Sequence, residues 1–259
     1  MEYKNLIYTK EQGLGVLILN RPKAFNALNK ELIDELNQLL AILEADNKLG
    51  ALIITGGNKV FAAGGDVGGM LNANTLDIYF YSQKINQAFD RLEALACPTI
   101  AAINGPALGG GCELAMCCDF RIAGEKSLFG QPEISLGILP GAGGTQRLAK
   151  LVGISRAKEM IFMGAPIKAQ QALNIGLINQ VVADEEVLDE AKKMAARLLE
   201  KPGIALRFAK EAINTGVNMD ANAGKVLEKA RFAMVFSTHD QKEGMKAFNE
   251  KRAPKFSND

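Results

Sequence analysis

The sequence predicts an α/β core at residues 1–190 followed by a helical C-terminal part at residues 191–259. Short uncharged runs rich in Ile, Leu and Ala indicate buried strands, and they alternate with segments of helical spacing. Such alternation is typical of parallel strands joined by right-handed helical crossovers. After about residue 182 only amphipathic helical patterns follow, at 184–200, 204–215, 225–236 and 241–251. Terminal helices with apolar faces often pack on neighbouring chains, so we expect residues 191–259 to be an oligomerisation region.

The elements of the core are predicted one by one. Buried strands are expected at 16–19, 51–54, 99–103 and 120–123. The first three segments contain no charged residue, and the fourth contains one arginine. The first helix follows Asn29, a suitable N-cap residue, and places leucines at positions 32, 36, 39, 40 and 43 on one face. A second helical segment covers about 75–95, and a third helix begins in the glycine cluster at 109–111.

The charge balance limits the classes of partner. The 259 residues carry 30 Lys and Arg against 29 Asp and Glu, a formal net charge of +1. This leaves no broad basic surface for nucleic acid or an anionic membrane. The longest uncharged run, 94–112, is interrupted by two prolines and several glycines, which is not the pattern of a membrane helix. We therefore expect neither a nucleic acid nor a membrane as partner.

Cysteine and histidine usage points to a reduced, metal-free protein. The four cysteines form no CxxC pair, and His239 is the only histidine, so a Cys/His zinc site lacks ligands and a Ser-His-Asp triad is disfavoured. Free thiols are typical of the cytosol, and the N-terminal residues 1–5 precede no apolar stretch that would indicate a signal peptide. We predict a cytoplasmic protein, with His239 at the surface or capping a helix.

Two of the predicted strands run through a turn into a cluster of glycines. One leads into Ala63-Gly64-Gly65-Asp66, the other into Gly109-Gly110-Gly111. Glycine turns at helix starts leave main-chain N–H groups unpartnered, and two such turns could aim two N–H groups at one point. The alternatives are simple tight turns or a phosphate loop. No GxxxxGK[ST] is present, and 141–146 lacks the final glycine of GxGxxG.

Two glutamates stand in unusually apolar surroundings. Glu113 follows the second glycine cluster, and Glu133 lies twenty positions further on, in Phe-Gly-Gln-Pro-Glu-Ile. Because a desolvated carboxylate is costly, such residues are paired, hydrogen-bonded or partly protonated. A carboxyl pair beside N–H-rich turns suits general acid/base chemistry next to a carbonyl group. Taken singly, Glu113 could have an N-terminal capping role in its helix, and Glu133 could be a loop ion-pair partner.

Five ordered segments resemble the enoyl-CoA hydratase (crotonase) family. They are NRPKAFNAL at 20–28, FAAGGD at 61–66, NGPALGGGCE at 104–113, FGQPE at 129–133 and PGAGGTQRL at 140–148, and AFNEKR at 247–252 closes the match. The resemblance implies a crotonase-like spiral core of repeated β-β-α units with a helical C-terminal part. It further implies that main-chain N–H groups of Gly65 and Gly110 form an oxyanion hole for the thioester carbonyl oxygen. Glu113 would then activate a water, Glu133 would protonate C2, and the main chain of Gly141 would help to hold the water.

The resemblance also implies a coenzyme A site. Lys23 and Ala24 would lie near the phosphates and ribose, and Ala63, Asp66 and Val67 around the adenine. Phe248 and Lys251 would complete the site from a neighbouring subunit of a homo-oligomer, a trimer or a dimer of trimers (homohexamer). Taken as bare residues, Lys23 could be a solvated surface lysine and Phe248 a core residue. The resemblance implies no metal or redox cofactor. Coenzyme A would enter the site as part of the acyl-CoA substrate.

Retention of both glutamates favours an enoyl-CoA hydratase, a lyase of fatty acid β-oxidation that also dehydrates 3-hydroxyacyl-CoA. The alternatives are a double-bond isomerase of the same fold, an RNA-binding homologue or a catalytically silent assembly partner. The sequence departs from the family at Gly65, where Ala is common, and at Gly68-Gly69 before Met70, where a polar residue and Glu are common. These glycines predict a more mobile loop beside an acyl pocket shaped by residues 71–80, including Tyr79 and Phe80.

Overall fold

The computed structural model describes residues 3–258. Met1 and Glu2, part of the N-terminal stretch interpreted above, and Asp259 lie outside the described residues. The strands are β1 (Leu6–Glu11), β2 (Leu14–Leu19), β3 (Ala51–Thr55), β4 (Thr99–Ile103), β5 (Pro106–Leu108), β6 (Phe120–Gly124), β7 (Leu128–Gly130), β8 (Ile167–Lys168) and β9 (Gln180–Val182).

The strands form two sheets. A six-stranded sheet has the order β1-β2-β3-β4-β6-β9, in which β1 is antiparallel to β2 and all other neighbours are parallel. Every residue of β3 and β4 is buried, as expected for central strands covered on both faces. A smaller sheet has the order β5-β7-β8.

The helices fill the crossovers and the C-terminal part. They are α1 (Lys30–Glu44), α2 (Val67–Met70), α3 (Thr75–Glu93), α4 (Gly110–Met116), α5 (Gly144–Val152), α6 (Ile154–Met163), α7 (Ala169–Asn174), α8 (Val187–Leu199), α9 (Gly203–Gly216), α10 (Ala221–Val235) and α11 (His239–Asn249). Asn29 caps α1 as predicted, because its side chain accepts a hydrogen bond from the Leu32 N–H.

A second layer of short parallel pairings repeats along the chain. Leu28 pairs with Gly65, Ala62 pairs with Ala107, and β5 pairs with β7. A strand of the large sheet is thus followed by a short stretch in the second layer and then by a helix, as in β4-β5-α4. This confirms the spiral of β-β-α units and places the glycine clusters in the second layer.

Two apolar cores lie on the faces of the large sheet. Leucines of α1 and the buried faces of α3 and α4 form the larger one. The smaller one joins β3, β4 and β6 to Val187, Ala191 and Ala195 of α8. The predicted boundary at 190/191 therefore falls inside a helix that packs on the sheet. Because α8 packs on the large sheet, it belongs to the core, and the helical C-terminal part begins after α8.

Polar contacts of α9 fasten the C-terminal helices to the core, among them one from the Asn214 side-chain amide to the Glu93 carbonyl of α3 at 3.3 Å. The Lys210 ammonium of α9 donates to Asp119 at 2.8 Å and to the Cys97 carbonyl at 3.1 Å. Their outer faces carry exposed apolar side chains, among them Ile213, Val217, Phe232, Met234 and Met245. His239 is exposed at the first position of α11, and the capping side chain is its neighbour Thr238.

Neither a membrane-crossing helix nor a metal cluster is found in residues 3–258. No helix there is long and apolar enough to span a bilayer. No three His, Cys, Asp or Glu side chains within the same range come together as a metal-binding group.

Asn26 anchors the 21–28 turn, which precedes α1 and lies beside the first glycine cluster. Its buried side-chain amide donates towards the carbonyls of Gly56 and Val60 at 3.0 Å, and its oxygen accepts from the Arg21 N–H at 2.9 Å. Its φ of 56° lies in the left-handed region that Asn tolerates.

We predict that Asn26→Ala lowers the free energy of unfolding by about 2 to 4 kcal/mol, because buried carbonyls lose their donor and Ala resists the left-handed conformation. Urea denaturation at a fixed protein concentration measures this. Asn26→Gly relieves the backbone strain but not the lost hydrogen bonds, so it should recover only part of the loss. A free energy within about 0.5 kcal/mol of wild type for Asn26→Ala would show that the anchor is unimportant.

Candidate active site

The two glycine clusters meet in the second layer. A β-carbon built on Gly109 would lie 3.6 Å from the Gly64 Cα, and one built on Gly110 would lie 3.6 Å from the Gly65 nitrogen. Gly64 and Gly109 have φ values of 108° and 50°, which glycine adopts without strain. The 3.6 Å distances are ordinary van der Waals contacts, so the backbone conformation of Gly64 and Gly109, and not a lack of space between the turns, favours glycine at these two positions.

The main-chain N–H groups of Gly65 and Gly110 take no part in the main-chain hydrogen bonds that surround them. The Leu28 N–H donates to the Gly64 carbonyl at 2.8 Å, and the Asp66 N–H donates to the Leu28 carbonyl at 3.0 Å. Gly110 is the first residue of α4, where a helix leaves its N–H groups unpartnered. Within residues 3–258 no hydrogen bond is found from either N–H group. The structure therefore brings the two donors together, at the positive end of α4.

Glu113 lies in the first turn of α4 with only 2% of its surface exposed. Its Oε1 accepts hydrogen bonds from the N–H of Ala142 at 2.8 Å and of Gly144 at 2.7 Å. Burial raises the pKa of Glu113, whereas these two hydrogen bonds and the charge of Arg147 act in the opposite direction. Glu113 thus does not cap its own helix; its partners are main-chain donors of a distant loop.

Arg147 fixes the loop that faces Glu113. Its guanidinium donates to the Ala142 carbonyl at 3.0 Å and forms ion pairs with Asp90 at 2.6 Å and Glu93 at 2.8 Å, both on α3. The side chain of Arg147 is only 9% exposed, but those of Asp90 and Glu93 are 69% and 40% exposed, so solvent screens the two ion pairs. Arg147 thus holds the Ala142 carbonyl, while the N–H groups of Ala142 and Gly144 point to Glu113.

Glu133 lies in the helical turn Pro132–Leu136 and is half-buried. Its Oε1 would be 2.7 Å from a β-carbon on Gly109, so the carboxyl group rests against the second glycine turn. Burial and, to a smaller extent, the charge of Glu113 raise the pKa of Glu133 to about 7, although its own main-chain N–H acts in the opposite direction. No ion pair of Glu133 is found in the described chain.

Gln131 is a hydrogen-bond donor to the Glu133 carboxyl group. Its side chain is fully buried, and with the amide nitrogen facing Glu133 it donates to both carboxyl oxygens at 3.1 Å. This contact favours the ionised form and so opposes the effect of burial. A carboxyl group balanced near neutrality can both give and accept a proton.

The structure places five of the seven expected coenzyme A residues side by side. Lys23 and Ala24 belong to the turn Pro22–Ala24, and the Ala63 N–H donates to the adjacent Phe25 carbonyl at 3.0 Å. Asp66 caps α2, which begins at Val67, and pairs with Arg21 at 3.2 Å.

Phe248 and Lys251 are not joined to this group by any hydrogen bond or ion pair of the described chain. Lys251 follows α11 and is exposed. Phe248 is 83% exposed, which excludes the alternative that it is a core residue of the single chain.

A cavity of about 670 Å³ borders the first glycine turn. Its apolar wall includes Leu28, Met70 and Tyr81, and the Met70 methyl group would be 3.1 Å from a β-carbon on Gly65. Residues 72, 73, 77, 78 and 80 also line it, within the segment expected to shape an acyl pocket. Gly141 is exposed and its Cβ direction is open.

Sequence reasoning missed the residues that control Glu113 and Glu133. Gln131 and Arg147 lie inside the segments that resemble the family, but nothing in the local sequence assigns them a role. The signal available was that a buried carboxylate needs donors, and a glycine-rich loop such as 141–144 can supply N–H groups.

Residues 9–259 match the family model described as enoyl-CoA hydratase/isomerase. The chain is 48% identical over 257 residues to a crotonyl-CoA hydratase of Syntrophomonas wolfei, covering 99% of each chain. It is 46% identical over 253 residues to a short-chain-enoyl-CoA hydratase of Clostridium acetobutylicum, covering 97% of each. A crystal structure of an enoyl-CoA hydratase from Bacillus anthracis superposes with a TM-score of 0.95 at 38% identity, covering 99% of this chain and 100% of that one. The chain therefore belongs to the enoyl-CoA hydratase/isomerase family.

Proposed function

We propose that the protein is an enoyl-CoA hydratase, a hydro-lyase that reversibly adds water to the 2,3 double bond of a 2-enoyl-CoA thioester. The observation that carries the proposal is the contrast between two neighbouring carboxyl groups beside two unpartnered N–H groups. Glu113 accepts two main-chain hydrogen bonds and faces Arg147, which favour its ionised form. Burial raises the pKa of both carboxyl groups, that of Glu133 to about 7, but only Glu113 has two main-chain donors of a distant loop and the charge of an arginine acting against this effect. Unlike surroundings of this kind assign one carboxyl as base and the other as acid.

The reaction follows from this assignment. The Glu113 carboxylate takes a proton from a water molecule, and the hydroxyl oxygen adds to C3 of the substrate. The electron pair of the double bond moves towards the thioester oxygen, which the N–H groups of Gly65 and Gly110 would stabilise as it gains negative charge. Glu133 then gives its proton to C2. Afterwards Glu113 holds a proton and Glu133 has lost one, so a proton passes between them before the next turnover.

The oxyanion contacts would supply the largest single contribution to the rate. Donors fixed before the reaction lower the barrier by about 3 kcal/mol each, and α4 adds the positive end of its dipole. The main chain of Gly141 would help to hold the attacking water. Acid, base and oxyanion donors are all provided by the chain, so the proposed reaction needs no cofactor beyond the coenzyme A of the substrate.

We propose short-chain substrates such as crotonyl-CoA. Two similar proteins carry the names crotonyl-CoA hydratase and short-chain-enoyl-CoA hydratase. Beyond the apolar wall of Leu28, Met70 and Tyr81, the cavity beside Gly65 is lined by charged residues, including Lys30, Asp77 and Lys84. A long alkyl chain extending past the apolar wall would meet these charges.

We also propose an oligomeric state and a cellular compartment for the protein. A homo-oligomer, a trimer or a dimer of trimers, would cover the exposed apolar faces of α9 and α10 and bring Phe248 and Lys251 to the coenzyme A site of a neighbour. The four cysteines are free and buried, which suits the reducing cytoplasm. A role in β-oxidation would follow from the substrate class.

We predict that Glu113→Gln and Glu133→Gln each lower kcat for crotonyl-CoA hydration by about 100-fold or more, because each removes one proton-transfer group. Loss of the conjugated enoyl thioester's ultraviolet absorbance follows the reaction. Glu159→Gln, on the exposed face of α6, is the matched control and should retain wild-type turnover. Full activity in either site variant would refute the two-carboxylate mechanism, and double-bond migration without hydration would favour an isomerase.

We predict that kcat/KM for hydration falls as pH rises through about 7. The pair must hold one proton on Glu133, whose pKa is raised to about 7, and above that pH the proton is lost. The rate should also fall at low pH, where Glu113 becomes protonated. Initial rates across the pH range measure the profile. If the residual activity of Glu133→Gln kept the same alkaline limb, another group would be responsible for it.

We predict that Lys23→Ala and Lys251→Ala raise KM for crotonyl-CoA by about two- to fivefold without changing kcat, the range of an exposed charge contact. Neither should alter turnover of the crotonyl thioester of N-acetylcysteamine, which lacks the phosphates and adenine. Lys192→Ala, an exposed lysine on α8, is the control. Equal effects on both thioesters would contradict a role in binding the nucleotide part.

A further inference from the structure

Two side chains of α3 contact the loop that supplies the hydrogen bonds to Glu113. The Ser82 hydroxyl and the Asn86 side-chain amide each donate to the Gly141 carbonyl at 2.8 Å. Asn86 also donates to the Ser82 carbonyl at 2.8 Å, which fixes its own orientation. Both side chains are half-buried and lie on one face of the helix, since they are four residues apart.

The Gly141 carbonyl belongs to the same peptide unit as the Ala142 N–H. Because a peptide unit is planar, holding its carbonyl fixes the direction of its N–H. That N–H donates to the Glu113 Oε1 at 2.8 Å. Hydrogen bonds to a carbonyl also polarise the attached N–H and strengthen it as a donor.

We propose that Ser82 and Asn86 are positioning residues for Glu113: through the Gly141–Ala142 peptide they aim one of its two N–H donors and keep the carboxylate ionised. The inference rests on the proposed role of Glu113 as the base. It adds two residues outside the segments that carry the family resemblance, and it gives α3 a part in setting the acid limb of the reaction.

The other groups that act on Glu113 are few. Arg147 and Glu133 are the charged groups that face it across the working pH range. Burial raises the pKa of Tyr81 and of the Cys112 thiol to about 12 and that of the Cys117 thiol in the same direction, so these three stay neutral. A shift in the ionisation of Glu113 after a change at Ser82 or Asn86 would therefore report the peptide between them.

The test is the pH profile of kcat/KM for crotonyl-CoA hydration in Ser82→Ala and Asn86→Leu. Weakening the Ala142 hydrogen bond destabilises the carboxylate, so the acid limb should move to higher pH by about one unit, the scale of one hydrogen bond to a charged group. Well above that limb, KM should match wild type. Ser82→Thr retains a hydroxyl donor and should restore the wild-type limb.

Asn37→Leu is the matched control. The Asn37 side-chain amide of α1 donates to the Lys84 carbonyl of α3 at 3.2 Å but makes no hydrogen bond to the loop at 141–144. Its acid limb should stay in place. An unmoved limb in Ser82→Ala and Asn86→Leu, or an equal shift in Asn37→Leu, would overturn the proposal.

The failure of this inference is distinguishable from a failure of the proposed function. If Glu113→Gln is inactive while the limb stays fixed in the α3 variants, only the positioning role falls. If Glu113→Gln is fully active, the role of Glu113 itself falls. Should Asn86→Leu not fold, the comparison of Ser82→Ala with Ser82→Thr decides the question.

Discussion

The site depends on the close approach of two glycine turns. A side chain at Gly109 would collide with the Glu133 carboxyl group at 2.7 Å, and one at Gly144 would collide with Glu113 at 2.8 Å. Gly110 follows Gly109 in the chain and lies against Gly65, and the strand pairings leave the N–H groups of Gly65 and Gly110 unused. Glycine at positions 109 and 144 thus leaves the space that the two carboxyl groups occupy.

The proposed chemistry depends on the different surroundings of two similar side chains. Both glutamates are desolvated, but Glu113 receives two main-chain hydrogen bonds and the field of Arg147. Glu133 rests on Gly109 beside that charge, and its pKa lies near neutrality. Helix α3 contributes to this difference through two sets of contacts. Its Asp90 and Glu93 form ion pairs with Arg147. Its Ser82 and Asn86 donate hydrogen bonds to the Gly141 carbonyl.

Local patterns predicted the parts of the fold that local physics determines. The buried runs of β2, β3, β4 and β6 and the Asn29 cap of α1 were found because burial and capping leave signals within a few residues. β1 was missed because it is largely exposed, with polar residues along it. β5 and β7, of three residues each, exist only through their mutual pairing. The glutamates and glycines were found by motif, but the donors of Glu113 lie 29 and 31 positions away, where no local pattern connects them.

The proposed catalysis depends on two main-chain N–H groups that would bind the carbonyl oxygen of a thioester. The most direct measurement is the isotope-edited infrared spectrum of butyryl-CoA, which has no double bond to hydrate, carrying ¹³C at the thioester carbonyl and bound to the protein. Hydrogen bonds from Gly65 and Gly110 should shift the carbonyl stretch below its frequency in water, and Glu113→Gln should retain the shift because it removes no oxyanion donor. A carbonyl frequency equal to or above that in water would show that these N–H groups do not bind the thioester oxygen.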